Sequence, residues 1–409
     1  MKISNLHARE ILDSRGNPTI ECELTLENGI RVLGSVPSGA STGSKEAHEL
    51  RDKDNSRYLG KGVTKAVDNV NNIIKDHFIN QELNQQLIDQ KLIELDGTPN
   101  KYHFGANAIL SVSLCVLKAL AIVQNKEMYE LFPGRKLPFP MFNIVNGGAH
   151  ADNNIDIQEF MIVPKQETFK ERLRCGAEVF HNLKSILKEK GLATGVGDEG
   201  GFAPNLENNY EALNLIMQAI EKAGYKPGVE VGIALDVAAS SFYDVETKLY
   251  SIDGRQITGS ELVNYYKNMI NNYPIISIED AFDENDDENM IALTREVGNK
   301  IMLVGDDFFV TNAEVLQEGI NKTMCNSIII KPNQVGTITE TIQTVELAKN
   351  NNYIPIMSHR SGETEDTSIA DLAVGLGINY IKTGSTSRGE RINKYNRLLR
   401  IEEKILKGE

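Results

Sequence analysis

The chain has little cysteine, no excess of positive charge and no long uninterrupted apolar run. Four cysteines, Cys22, Cys115, Cys175 and Cys325, are scattered over 409 residues without a CxxC pair. That spacing argues against a disulfide framework or a cysteine zinc site and points to buried free thiols in a reducing compartment. The formal net charge of −14 speaks against nucleic acid or an acidic membrane as primary partner. An anionic small substrate fits only if Lys, Arg, His or a metal inverts the field locally. The most apolar stretch, residues 108–123, is interrupted by Ser111, Ser113 and Lys118. It reads as a buried helix, too short and too polar for a membrane span. MKISNLHARE has no apolar signal core, so a cytoplasmic location is expected.

What is present is an ordinary globular composition, 41% hydrophobic and 24% charged, in a chain long enough for two domains. Ile20, Cys22, Leu24 and Leu26 alternate with polar residues as in a half-buried strand. Asn28-Gly29 then supplies a hairpin turn, and residues 30–36 return. From Lys61 the pattern turns helical, with Val63, Val67, Val70 and Ile74 on one face, then helices near 82–95 and 106–123. Strands followed by helices make a smaller α+β domain, residues 1–132. The stiff FPGRKLPFP segment, with Pro133, Pro138 and Pro140, marks its end.

Residues 133–409 have another rhythm. Apolar runs at 141–145 and 160–163 come with no helix between them, and two helical patterns follow, near 167–190 and 207–223. Then VGIAL, IISI, IMLV, SIII, YIPIM and YI alternate with helical stretches. Strand–helix alternation implies parallel strands. The count is two strands, two helices and six strand–helix units, which fits a closed eight-stranded β/α barrel. An open doubly wound sheet is the alternative.

Each of the six runs ends on a residue able to do chemistry: Asp236, Glu279-Asp280, Asp306-Asp307, Lys331, His359-Arg360 and Lys382. In a barrel these ends meet on the face where barrel active sites lie. Three carboxylates from Asp236, Glu279 and Asp306 form an oxygen-only set suited to Mg²⁺, and their convergence would be repulsive without a cation. Lys331 and Lys382 face the acids. A lysine near a second cation and a metal is expected to have a lowered pKa and to serve as a base. Mg²⁺ can hold a substrate carboxylate and stabilise the charge left when the adjacent carbon loses a proton. The Gly-rich GVGDEGGFAP segment carries Asp198 and Glu199, a candidate acid on a bendable loop. Glu159, after Gln158, is a second carboxyl whose proximity would raise one pKa and keep a proton available.

SGASTG (38–43), NGGAHADNNIDIQEFMIVP (146–164), GDEGG (197–201), ALDVAAS (234–240), SIED (277–280), VGDDFFVTN (304–312), KPNQVGT (331–337), SHRSGETED (358–366) and IKTGS (381–385) resemble the enolase family in its bacterial form, in order and over nearly the whole chain. DSRGNPT (13–19) and LDGTPNK (95–101) agree as well. A Lys or His base working with Mg²⁺ is a known pattern of this superfamily rather than something spacing establishes. The resemblance implies a ββαα(βα)6 barrel and the reversible dehydration of 2-phospho-D-glycerate to phosphoenolpyruvate in glycolysis and gluconeogenesis.

The roles implied by resemblance are specific. Asp236, Glu279 and Asp306 bind a first Mg²⁺, and Ser41 ligates a second that arrives with substrate. Lys331 takes the C2 proton, and Glu199, assisted by Glu159, protonates the departing C3 hydroxyl. Arg360 and Ser361 hold phosphate. Lys382 and His359 contact substrate, Gln158 borders it, and His150 lies on a closing loop. The family also implies a homo-oligomer, dimer or octamer. The segment 75–85 and the tail are short and Asp287 stands where relatives often carry Trp, departures that bear on oligomer contacts and loops. Two other readings stand beside this one. The chain would be a superfamily dehydratase or racemase acting on an unphosphorylated sugar acid. Or it would add a cell-surface role, reached without a signal peptide, binding plasminogen through Lys404 and Lys407.

Overall fold

The computed structural model describes residues 1–40 and 43–408. Strands β1 (Ile3–Leu12), β2 (Pro18–Leu26) and β3 (Arg31–Ser35) form an antiparallel sheet in that order. The Asn28-Gly29 turn joins β2 to β3, with Gly29 at φ 84°. Strand β1 is not evident from periodicity because a register shift between Ile3 and Asn5 breaks its alternation. The helical stretch after Lys61 is α1 (Thr64–Asp68) and α2 (Lys75–Phe78), joined by a π-helical segment at Asn69–Ile74. Val63, Val70 and Ile74 are buried along it. Helices α3 (Gln85–Asp96) and α4 (Ala106–Val123) follow.

Helix α4 corrects one expectation. Its mean hydropathy of 2.1 over 18 residues makes it long and apolar enough to cross a membrane by length and composition. Here 78% of it is buried, packed against β2 and β3. A helix apolar on every side suits a protein core as well as a bilayer. The four cysteines are free and buried, as expected.

The remainder is a closed barrel in the order β4 (Phe139–Asn146), β5 (Glu159–Pro164), β6 (Val231–Asp236), β10 (Ile275–Glu279), β11 (Met302–Gly305), β12 (Ser327–Ile330), β13 (Ile354–Ser358) and β14 (Tyr380–Lys382). Helices α5 (Phe169–Glu189) and α6 (Asn209–Lys222) separate β5 from β6. After that α7 (Gly259–Asn272), α8 (Asp287–Val297), α9 (Ala313–Asn321), the short α10 (Pro332–Val335) with α11 (Ile338–Asn350), α12 (Ser368–Gly375) and α13 (Gly389–Lys407) each follow a barrel strand. This is the ββαα(βα)6 arrangement. Among the six later barrel strands the longest interval between ends, Asp236 to Glu279, holds an added ribbon of β7 (Tyr243–Asp244), β8 (Leu249–Ile252) and β9 (Arg255–Ile257).

One strand departs from the parallel rule. With no helix between them, β4 and β5 cannot run the same way, and β5 pairs antiparallel with both β4 and β6. Inside the barrel, Met141, Met161, Val163, Ala234, Met302, Val304, Ile329 and Ile356 form a separate apolar plug. Outside it, α5 lies close on β4 because Gly176 has no side chain; a Cβ there would stand 2.4 Å from the Phe142 ring. Thr168, Asn208, Thr258, Asp286, Asn312 and Thr337 cap the helices that follow them through side-chain oxygens.

Candidate active site

The barrel brings the strand ends to one face. Asp236, Glu279 and Lys382 are the last residues of β6, β10 and β14, and Lys331 and His359 directly follow β12 and β13. Glu159 reaches the same face for the opposite reason. Strand β5 runs backwards, so its first residue lies opposite Asp236. A small cavity of roughly 30 Å³ is lined by His150, Gln158, Glu159, Glu199, Asp236, Asp306, Lys331, His359, Arg360, Ser361 and Lys382. Glu279 lies outside its wall, behind Lys382, and Ser41 lies outside the described residues.

The carboxylates are neutralised by lysines. Lys382 Nζ lies 2.7 Å from Asp236 Oδ2, 2.9 Å from Glu279 Oε1 and 3.4 Å from Glu159 Oε1. Lys331 Nζ is paired with Asp306. These pairs set the protonation of both lysines. Burial disfavours both ammonium groups, but Asp306 outweighs it at Lys331, and Asp236 with Glu159 and Glu279 outweighs it at Lys382, so both pKa values rise. The ligand trio is also not drawn to one point. Among the described residues, the groups whose ligand atoms come within 4.8 Å of one another are Asp280, Asp306 and Asp307, and His150, Glu159 and Glu199. Salt bridges hold Asp236 and Glu279 on one ammonium and Asp306 on another.

The donor set still fits a hard divalent cation. Asp236, Glu279 and Asp306 offer only carboxylate oxygen, and a positive charge already sits between two of them. Burial and the Asp236 charge push Glu279 well above the usual carboxylate range, a measure of how strongly this spot calls for a cation. Asp280 supports the set from behind. Its carboxylate accepts the backbone N–H groups of Asp306 and Asp307 at 2.9 and 3.0 Å while its own backbone is held at φ 43°. Gln334 adds a bond to Asp306 Oδ1 at 2.9 Å, and Gln158 one to Asp236 Oδ2 at 3.2 Å.

Across the cavity stand two glutamates and two histidines. Glu199 Oε2 accepts from Asn143 Nδ2 at 3.1 Å and faces His359 Nε2 at 3.1 Å. His150 Nδ1 lies 3.4 Å from Glu159 and 3.7 Å from Glu199. Burial and repulsion by Glu199 raise the Glu159 pKa to about 7. Burial opposes the Glu199 carboxylate too, but the imidazoles of His359 and His150 outweigh it and hold its pKa well below the usual range. Burial outweighs the attraction of Glu199 at His359 and pushes its pKa down to about 4. One carboxyl of the pair is raised, as expected, but it is Glu159 and not the expected donor Glu199.

Arg360, next along the chain from His359, lines the same cavity. It meets Glu46 through both arms at 3.0 and 3.1 Å and donates to Asn333 Oδ1 at 3.1 Å. Ser361 Oγ accepts the N–H of Ala40 at 2.7 Å and lies 3.3 Å from Arg15 Nη1, which ties this wall of the cavity to the loops beside the N-terminal sheet. Sequence reasoning passed over Glu46, Arg15, Asn143, Gln334 and Arg391. Each acts through a partner distant in sequence. Arg15, Gln334 and Arg391 sit in or beside the motifs, which marked the segments without showing what these side chains touch.

Two family matches account for nearly all of the chain. Residues 3–132 match the family described as Enolase, N-terminal domain, and residues 135–408 match Enolase, C-terminal TIM barrel domain. Together with the barrel and its ring of acids and lysines, these matches show that the chain belongs to the enolase family of lyases.

Proposed function

We propose that the chain is a hydro-lyase that interconverts 2-phospho-D-glycerate and phosphoenolpyruvate. The observation that carries this reading is one cavity holding Lys331, Glu199, Arg360 and Ser361 together. A phosphoryl group would take the bidentate edge of Arg360 now met by Glu46. Asp236, Glu279 and Asp306 would hold Mg²⁺, and Ser41 a second ion. When bound, Mg²⁺ neutralises the acids and stabilises negative charge on a substrate carboxylate.

With Asp306 engaged elsewhere, Lys331 loses the partner that raises its pKa, and its neutral amine accepts the C2 proton. The C2–H electron pair stays on carbon. It then forms the C2–C3 double bond as the C3–O bond breaks, and the proton that rests on Glu159 reaches the leaving hydroxyl through Glu199. Water departs, Lys331 has gained one proton and the glutamate pair has lost one. Lys382 stays charged beside Glu159 and Asp236 and serves as an electrostatic partner.

The same reading places the protein in the cytoplasm as a homo-oligomer, a dimer or octamer. It is tested by the rise in ultraviolet absorbance as phosphoenolpyruvate forms from 2-phosphoglycerate, with Mg²⁺ and with EDTA. A Mg²⁺-dependent signal supports it. Equal activity on unphosphorylated sugar acids, or no Mg²⁺-dependent signal, removes it.

A further inference from the structure

Arg391 is wholly buried in the first turn of α13, where a cation opposes the helix dipole. Its surroundings compensate. Nη1 donates to His359 Nδ1 at 2.7 Å and to the Arg360 carbonyl at 2.6 Å. Nη2 donates to the carbonyls of Ser361 and Asp198 at 2.6 and 3.0 Å and lies 3.5 Å from Ser14 Oγ. Nε lies 3.4 Å from Glu390 Oε1. The backbone leaves a path for the stem. Gly384 has φ 78°, and a Cβ there would stand 2.8 Å from Arg391 Cδ.

A guanidinium carries only donors and keeps its proton. Nδ1 of His359 must therefore be the acceptor, and the ring proton sits on Nε2. That nitrogen faces Glu199 Oε2 at 3.1 Å, off the line of a formed hydrogen bond. Such contacts tighten when a site fills. We propose that Arg391 is a positioning residue that locks His359 in the Nε2–H tautomer, so that the imidazole offers Glu199 a donor and never a base. An imidazole with a bare Nε2 would compete for the proton that Glu199 must deliver to a leaving hydroxyl. The charged groups facing His359 are Glu199 on the Gly-rich loop, Arg391 on α13 and Glu363 beyond β13. The catalytic meaning rests on the proposed function; the tautomer is a property of the resting chain.

The test is ¹⁵N NMR of the histidine-labelled full chain without substrate, with His359→Gln to assign the signal. The expected spectrum shows unprotonated Nδ1 and protonated Nε2, unchanged down to about pH 5. An Nδ1–H tautomer, or titration near the ordinary value of about 6.5, overturns the proposal. Arg391→Lys keeps a donor and should keep the tautomer. Arg391→Met should release it, add an acidic limb to the pH profile and lower kcat by about 10- to 100-fold with less change in KM. A folded Arg391→Met enzyme with unchanged kcat overturns the positioning role. If that variant fails to fold, the wild-type and Arg391→Lys spectra decide. Failure of the dehydration assay leaves the spectrum readable, so the two claims fail separately.

Discussion

Nζ of Lys382 stands 2.7 Å from Oδ2 of Asp236, and both side chains are buried. The ammonium thus supplies the positive charge that three buried carboxylates demand. Lys382→Met should lower stability by about 3–5 kcal/mol in EDTA, because Asp236, Glu279 and Glu159 are left without their cation. Added Mg²⁺ should recover more of the loss than it adds to the wild type. Thermal melts with and without Mg²⁺ check this. An unchanged Tm in EDTA would mean that Lys382 is not the neutralising charge.

The base and the acid separate by isotope exchange. Lys331→Ala should abolish exchange of the C2 proton with solvent and with it all turnover. Glu199→Gln should retain exchange while dehydration falls by about 100-fold or more. Proton NMR in deuterated buffer, run beside the absorbance assay, reads both steps. Full dehydration by Lys331→Ala would refute the assignment of the base.

Glu159 makes stability depend on pH with a definite sign. Its pKa is about 7 when folded against an ordinary value of 4.5. The folded chain therefore binds that proton more tightly, and this term lowers stability as pH rises from about 4.5 to about 7. Below the window the penalty is absent, and above it the penalty is complete. Glu159→Gln should gain stability relative to wild type across the window in metal-free buffer. Parallel denaturation curves at pH 4.5 and pH 8 would contradict the shift.

Gly176→Ala tests packing away from the chemistry. The added Cβ would stand 2.4 Å from the Phe142 ring, so α5 must move off β4. Stability should fall by about 1–3 kcal/mol, with kcat retained in the folded fraction. Urea denaturation together with the specific activity of the soluble protein measures both.

Much of the fold is legible locally. Helix α4 occupies the interval 106–123 read from its apolar run, and the strand–helix alternation after residue 225 yields the barrel. Binary pattern and turn chemistry are short-range signals, so they survive in the linear text. The ring of strand-end residues is legible for the same reason, since each polar residue abuts its own apolar run.

What only the tertiary structure decided depends on contacts between distant segments. The reversal of β5 puts Glu159 at the mouth of the barrel. The buried lysines pair with Asp306 and with Asp236, Glu159 and Glu279, and these partners raise both pKa values. The proton of the glutamate pair rests on Glu159 because burial and the Glu199 charge raise its pKa, while His359 faces Glu199 at 3.1 Å. Arg391 meets His359 across a separation of 32 residues. Electrostatic shifts depend on distance and burial, and neither is written in the order of the residues. The sequence by itself determined which residues end the six later strands. The fold decided which of them hold protons, which hold charge and which hold each other in place.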